Sequence, residues 1–106
     1  MIKLLVWARK KEEMSPEEFR AYWTGPHADL ARRTYPHLAR YVINPVTRAP
    51  RGETALFDGL AELVWASRED FDADVRTPEA RAVAEDLATF ASASGTLYVD
   101  EHPVVT

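Results

Sequence analysis

Met14-Ser15-Pro16-Glu17-Glu18-Phe19 opens a stretch that continues through Tyr22-Trp23 and Gly25-Pro26-His27 to Ala28-Asp29-Leu30. Ser15 followed by Pro16, with Glu18 three residues after the serine, marks a helix start. The Ser15 hydroxyl can accept from the Glu18 amide while the Glu18 carboxylate reaches back to the Ser15 amide. Phe19, Tyr22, Trp23, His27 and Leu30 then recur three or four residues apart, so they share one face of a helix. Gly25-Pro26 falls inside that stripe. Proline lacks an N–H and crowds the carbonyl four residues back, so a kink or a restart is expected there.

The flanking segments supply the surface that this aromatic stripe covers. Upstream, residues 2–9 read as a strand, with Ile2, Leu4 and Val6 on one face and Lys3, Leu5 and Trp7 on the other. Both faces carry apolar residues, as in a strand buried on two sides. Downstream, residues 38–46 read as a second strand that sets Tyr41 and Ile43 opposite Val42 and Asn44, with Pro45 at a sheet edge or bulge. Residues 47–54 are rich in Arg, Pro and Gly and read as a mobile loop. Residues 60–66 read as a third strand. Ser67 then caps a helix with Phe71 and Val75 on its apolar side, and Thr77-Pro78-Glu79 starts a continuation through Val83, Leu87 and Phe90. Residues 91–95 read as a break, and Leu97 begins the last strand.

Strand, helix, strand, strand, helix, strand is the split βαβ order of an α+β, ferredoxin-like βαββαβ fold with a four-stranded antiparallel sheet. Two helices cover one sheet face and leave the other bare. A bare apolar face of that size calls for a partner, and a two-fold homodimer with its sheets face to face is the simplest one.

Composition narrows the function classes. The 106 residues fit a single domain spanning 1–106 and hold a limited core. A formal net charge of -4 without a basic stripe argues against nucleic acid. No cysteine is present, so disulfides, thiolate metal sites and cysteine nucleophiles are ruled out, and a cytoplasmic setting fits. Charged Arg9, Lys10 and Lys11 end the first apolar run early, leaving neither a secretory core nor a membrane span. His27, His37 and His102 have no metal-ligand spacing, and no Gly-rich phosphate loop follows a strand.

The segment at residues 14–30, with its helix cap, Glu-Glu-Phe, Tyr-Trp and a His four residues after the Trp, resembles the helix signature of the EthD-like family. Arg40-Tyr41-Val42-Ile43-Asn44 is similar to that family's second strand. Asp58-Gly59-Leu60-Ala61-Glu62-Leu63-Val64-Trp65 is similar to its third, and Asp100-Glu101-His102-Pro103-Val104-Val105 to its end. The resemblance covers nearly the whole chain and implies a homodimeric α+β barrel with a cavity between each sheet and its helices. It also implies action on cyclic, often aromatic, oxygenated small molecules, generally without metal or organic cofactor, as in cyclases and isomerases of polyketide or aromatic catabolism. Many members have no known reaction, so a non-catalytic small-molecule-binding or stress-related dimer is an alternative. A cofactor-free or haem-dependent monooxygenase is another. Relatives often carry a His where Pro45 stands, and any role of that second His is absent here.

Six residues compete for the chemistry, with Trp23 as a pocket wall on the helix stripe. His27 shares the stripe of Phe19 and Trp23. Among aromatics an imidazole loses solvation, which favours its neutral form and suits a general base. The competing reading is a core histidine bonded to a carbonyl freed by Pro26. Glu62 lies on an apolar strand, where a carboxylate needs a partner. It orients His27, acts as an acid, or binds Arg40 across the sheet. Tyr41 or Asn44 would hold a substrate oxygen, from opposite faces of one strand. Trp65 lines an aromatic pocket or packs at an interface. His102, beside Glu101, is a pocket residue or an exposed tail residue. His37 is expected in an exposed loop, and Asp29, about 200° round the helix from His27, is expected in solvent rather than beside it.

Overall fold

The computed structural model describes all residues, Met1–Thr106. Strand β1 (Ile2–Lys10) is followed by helix α1 (Pro16–Tyr22), a π-turn (Trp23–His27) and helix α2 (Ala28–Thr34). Strands β2 (Leu38–Pro45) and β3 (Gly59–Trp65) come next, then helices α3 (Arg68–Val75) and α4 (Ala80–Phe90) and strand β4 (Ala91–Val99). The strands form one antiparallel sheet in the order β2-β3-β1-β4, the ferredoxin-like arrangement expected from the element order.

The helix start forms as its residues require. Glu18 N donates to Ser15 Oγ at 3.1 Å, and Ser15 N donates to Glu18 Oε1 at 2.9 Å. Such a cap stabilises a helix by about 1 kcal/mol. The Gly25-Pro26 interruption, expected as a kink or a restart, separates two α-helices by a π-turn. The helical path runs on through a π-turn, which widens the turn where Pro26 cannot donate and where its ring would press on the Tyr22 carbonyl. Trp23 and His27 stay on one side across it, and both are buried.

Alternation sorts the sheet into two faces. Leu4 pairs with Leu63, Val6 with Ala61 and Tyr41 with Leu63, and all of these turn toward the helices. Leu5, Trp7, Val42, Leu60, Val64 and Leu97 belong to the other face, which no element of the chain covers. The molecule measures 42 × 36 × 18 Å, the thickness of a sheet and one helix layer.

The core is aromatic. Phe90, at the end of α4, lies against Phe19, Tyr22, Trp23 and His27 with ring centroids 5.0–6.0 Å apart. Truncating such a ring to Ala costs about 3–5 kcal/mol. Gly59 lets the Trp23 ring lie flat on β3, where any β-carbon would collide with it.

The last strand begins earlier than its sequence suggests. Residues 91–95, read as a break, are the first half of β4 and pair with β1 from Lys10↔Ala91 onward. Ala, Ser and Gly are poor strand formers, but pairing to a neighbour outweighs propensity. Small size is also needed there, because the Trp7 ring lies over Gly95. The loop at residues 47–54 carries a short 3-10 turn, Pro50–Gly52, and none of it lines the cavity described next.

Candidate active site

Between the helix-facing side of the sheet and the helices lies a cavity of about 140 Å³. Its lining is apolar and aromatic, and no Lys, Arg, Asp or Glu side chain contributes to it. The polar groups it offers belong to His27, Tyr35, Tyr41 and Thr96, beside the indoles of Trp23 and Trp65.

The π-turn aims His27 into this space. The residue is 4% exposed, and its ring meets Phe90 edge-on at 5.1 Å. Nδ1 lies 2.8 Å from Asp86 Oδ2, and the other carboxylate oxygen, Asp86 Oδ1, accepts from the Tyr22 hydroxyl at 2.7 Å. The hydrogen bond to Asp86, followed by burial, pushes the Tyr22 phenol up, so it stays protonated and keeps donating. An ionised Asp86 accepts, so the neutral imidazole carries its proton on Nδ1 and leaves the Nε2 lone pair free. Nε2 makes no hydrogen bond within the protein, and no side-chain polar atom is sealed away without a partner. No backbone carbonyl holds the ring, as the core-histidine alternative required.

Tyr41 is a second polar residue that lines the cavity. Burial, with a smaller influence from the nearby Tyr35 phenol, pushes its hydroxyl up to about 12. It is therefore a permanent donor at physiological pH. Tyr35 is pushed up in the same way, first by burial and then by the Asp74 charge. Trp65 forms part of the wall, held by its indole N–H donating to Asp74 Oδ2 at 2.8 Å.

The other candidates lie elsewhere. Glu62 is on the opposite face of the sheet, because Ala61 and Leu63 take the cavity side of β3. It bonds Lys3 at 3.0 Å and Asn44 Nδ2 at 3.3 Å, so it does not orient His27. Its carboxyl is held below the usual range, chiefly by Lys3 and only lastly by the charge of Arg40. Lys3 rather than Arg40 is its partner, and a carboxylate so held is a poor acid. Asn44 shares that outer face and donates to the Leu60 carbonyl at 2.9 Å. His102 sits in the exposed tail beyond β4 and touches neither face of the site. Asp29 pairs with Arg32 in solvent. His37 is exposed in part, but it is also tied to a buried Asp74, with Nδ1 2.6 Å from Oδ1.

Asp86, Tyr22, Tyr35 and Asp74 complete the site or its support, and none was a sequence candidate. Asp86 carried a usable signal: it lies three residues after Val83 and four before Phe90, on the apolar stripe of α4. No three His, Asp or Glu side chains converge as metal ligands, and no helix is long and apolar enough to cross a membrane.

Comparison with known proteins places this geometry. No curated protein sequence matches the chain. Among solved structures, an ethyl tert-butyl ether D (EthD) family protein from Bacillus halodurans C-125 is similar at TM-score 0.76 and 23% identity, over 96% of this chain and 100% of that one. SnoaB, a cofactor-independent oxygenase from Streptomyces nogalater, is similar at TM-score 0.68 and 14% identity, over 98% and 95% of the two chains. A dimeric ferredoxin-like protein of unknown function from Thermobifida fusca YX is similar at TM-score 0.67 and 15% identity, over 92% and 88%. These likenesses establish the fold. The EthD domain model matches residues 11–94, most of the sequence, and on that match the chain belongs to the EthD family.

Proposed function

We propose that this chain is a cofactor-independent enzyme that moves a proton on a small cyclic or aromatic oxygenated compound, with His27 as the base. The observation that carries the reading is the His27 ring itself: Nδ1 held by Asp86 and Nε2 unpartnered beside an apolar cavity. In the reaction, Nε2 takes a proton from the carbon next to a carbonyl. The C–H electron pair forms the new C=C bond, and the carbonyl π pair moves to oxygen. The Tyr41 hydroxyl donates to that oxygen as charge develops on it, and Asp86 stabilises the imidazolium. Return of the proton to a different carbon gives an isomer, and attack by the enolate carbon on a second carbonyl gives a cyclised product. A positioned base of this kind contributes about 10²–10⁴-fold in rate.

The working form is proposed to be a homodimer. Two copies would pair through the uncovered sheet faces, burying Leu5, Val42, Leu60 and Leu97. The dimeric Thermobifida fusca neighbour supports that assembly. The Lys3–Glu62 pair would then sit at the interface rather than in the catalytic cavity.

The test is deuterium incorporation from D₂O into a panel of enolisable cyclic and aryl ketones, followed by NMR with wild type and His27→Ala. Exchange catalysed by the wild type and lost in the variant is expected. Equal exchange by a folded His27→Ala protein would contradict the proposal, and saturable binding without exchange would favour the ligand-binding dimer.

A further inference from the structure

We infer that the cavity selects an uncharged, single-ring substrate whose reacting oxygen docks on the paired phenols of Tyr35 and Tyr41, and that it discriminates against ring carboxylates. The inference deepens the proposed function and rests on it only for which atom reacts.

Size is the first argument. A volume of about 140 Å³ is close to the ~150 Å³ apolar cavities that take up benzene. One ring with a short substituent matches that size, and a fused polycycle would press on the buried Trp23 and Trp65.

Charge is the second. A carboxylate leaving water needs a counter-charge or a full set of donors. No cationic side chain lines the cavity, and the nearest ion-pairing lysine, Lys3, is on the other sheet face with Glu62 and Glu101. Any positive charge on the His27 ring is already balanced at Nδ1 by the carboxylate of Asp86, so an incoming anion meets a pair with no net charge.

The donors are the third. Neither the Tyr35 nor the Tyr41 hydroxyl is used in a hydrogen bond within the protein, neither is sealed away, and both residues line the cavity, so both hydroxyls are left to serve an acceptor. The phenols are preorganised. Tyr35 is set edge-on against Trp65 at 5.7 Å, and Trp65 is pinned to Asp74. Two O–H groups on residues that line an apolar cavity would stabilise an oxygen that gains charge during the reaction. A neutral ketone or phenol presents such an oxygen and acquires negative charge only as His27 takes its proton, so no net charge has to be carried out of water into the cavity.

The experiment uses a matched pair of probes, acetophenone and benzoate, which differ by a methyl ketone against a carboxylate on the same ring. Acetonaphthone adds one ring. Binding is read from the fluorescence of the cavity tryptophans and from ligand-detected NMR, and turnover from deuteration of the acetophenone methyl group. Acetophenone is expected to bind at least about tenfold more tightly than benzoate, and acetonaphthone not to saturate. Tyr35→Phe and Tyr41→Phe, which keep the rings and hence the packing, are each expected to weaken acetophenone about three- to tenfold and leave benzoate unchanged. Benzoate binding as tightly as acetophenone, saturable acetonaphthone binding, or indifference to both substitutions would overturn the inference. Deuteration that persists while the selectivity fails would remove this substrate class and spare the proton-transfer reading. Selectivity without His27-dependent deuteration of any ketone would remove the reading and leave the cavity's preference standing.

Discussion

Two histidines in this chain each set Nδ1 against an aspartate, and their burial is inverted. In the His27–Asp86 pair the imidazole side chain is 5% exposed and the carboxylate 20%. In the His37–Asp74 pair the imidazole is 49% exposed and the carboxylate 1%. Asp74 accepts from the His37 backbone N–H at 2.9 Å and from the Trp65 indole, besides the His37 ring. All of these donors belong to the protein, and His37 lines no part of the cavity. Asp86 spends one oxygen on Tyr22 and one on His27, and His27 keeps Nε2 for the cavity. The same pair of side chains is therefore a clamp where the carboxylate is buried, and leaves one ring nitrogen unpartnered where the imidazole is buried beside an apolar space, as the proposed base requires.

The comparison breaks most sharply at Asp86. Asp86→Asn keeps the shape of the site but can present a donor to Nδ1, which favours the wrong tautomer. A loss of at least about 10²-fold in kcat is expected, with folding retained, measured by ketone deuteration and thermal melting. The matching change at the clamp acts on the fold. Asp74→Ala strands buried N–H donors and should cost about 3 kcal/mol of stability by denaturant titration. The protein that remains folded should keep the pH profile of wild-type turnover. Tyr22→Phe sharpens the contrast more gently. It frees one oxygen of Asp86 and should lower kcat/KM about three- to tenfold, with the pH profile displaced and KM little changed.

The smallest effect separates the pairs by pH. The hydrogen bond to Asp74 raises His37 above its ordinary 6.5, opposed by burial and aided by the smaller effects of the Asp74 and Asp70 charges. A group raised on folding stabilises fully below its unfolded value, and that contribution fades as pH climbs through the raised folded value. Stability should thus decline as pH rises from about 6.5, and His37→Gln should flatten that decline without altering turnover, read from denaturant midpoints across pH.

The fold was largely legible because its signals are local. The Ser15–Glu18 box, the Phe19–Trp23–His27 stripe and the alternation in β1 and β3 depend on neighbours within a few residues. Residues 91–95 were not legible as strand, because their structure comes from β1, some 80 positions away in sequence. The site was legible by halves. His27, Trp23, Tyr41 and Trp65 follow from periodicity and meet in one cavity. Tyr41 and Asn44 were set on opposite faces of β2, but alternation alone does not say which face the helices cover, so Asn44 and Glu62 stood as candidates although both lie on the outer face. Asp86 and Asp74 were missed because a carboxylate on an amphipathic helix ordinarily faces solvent, and only the approach of α4 to the π-turn and of α3 to Trp65 makes them partners.

The most direct test of the account is the tautomer of His27. Long-range ¹H–¹⁵N correlation on labelled protein, at a pH where the ring is neutral, reports which nitrogen carries the proton. The account predicts a protonated Nδ1 and a bare Nε2 whose resonance moves when acetophenone is added. A protonated Nε2 with a bare Nδ1, unmoved by the ketone, would contradict it.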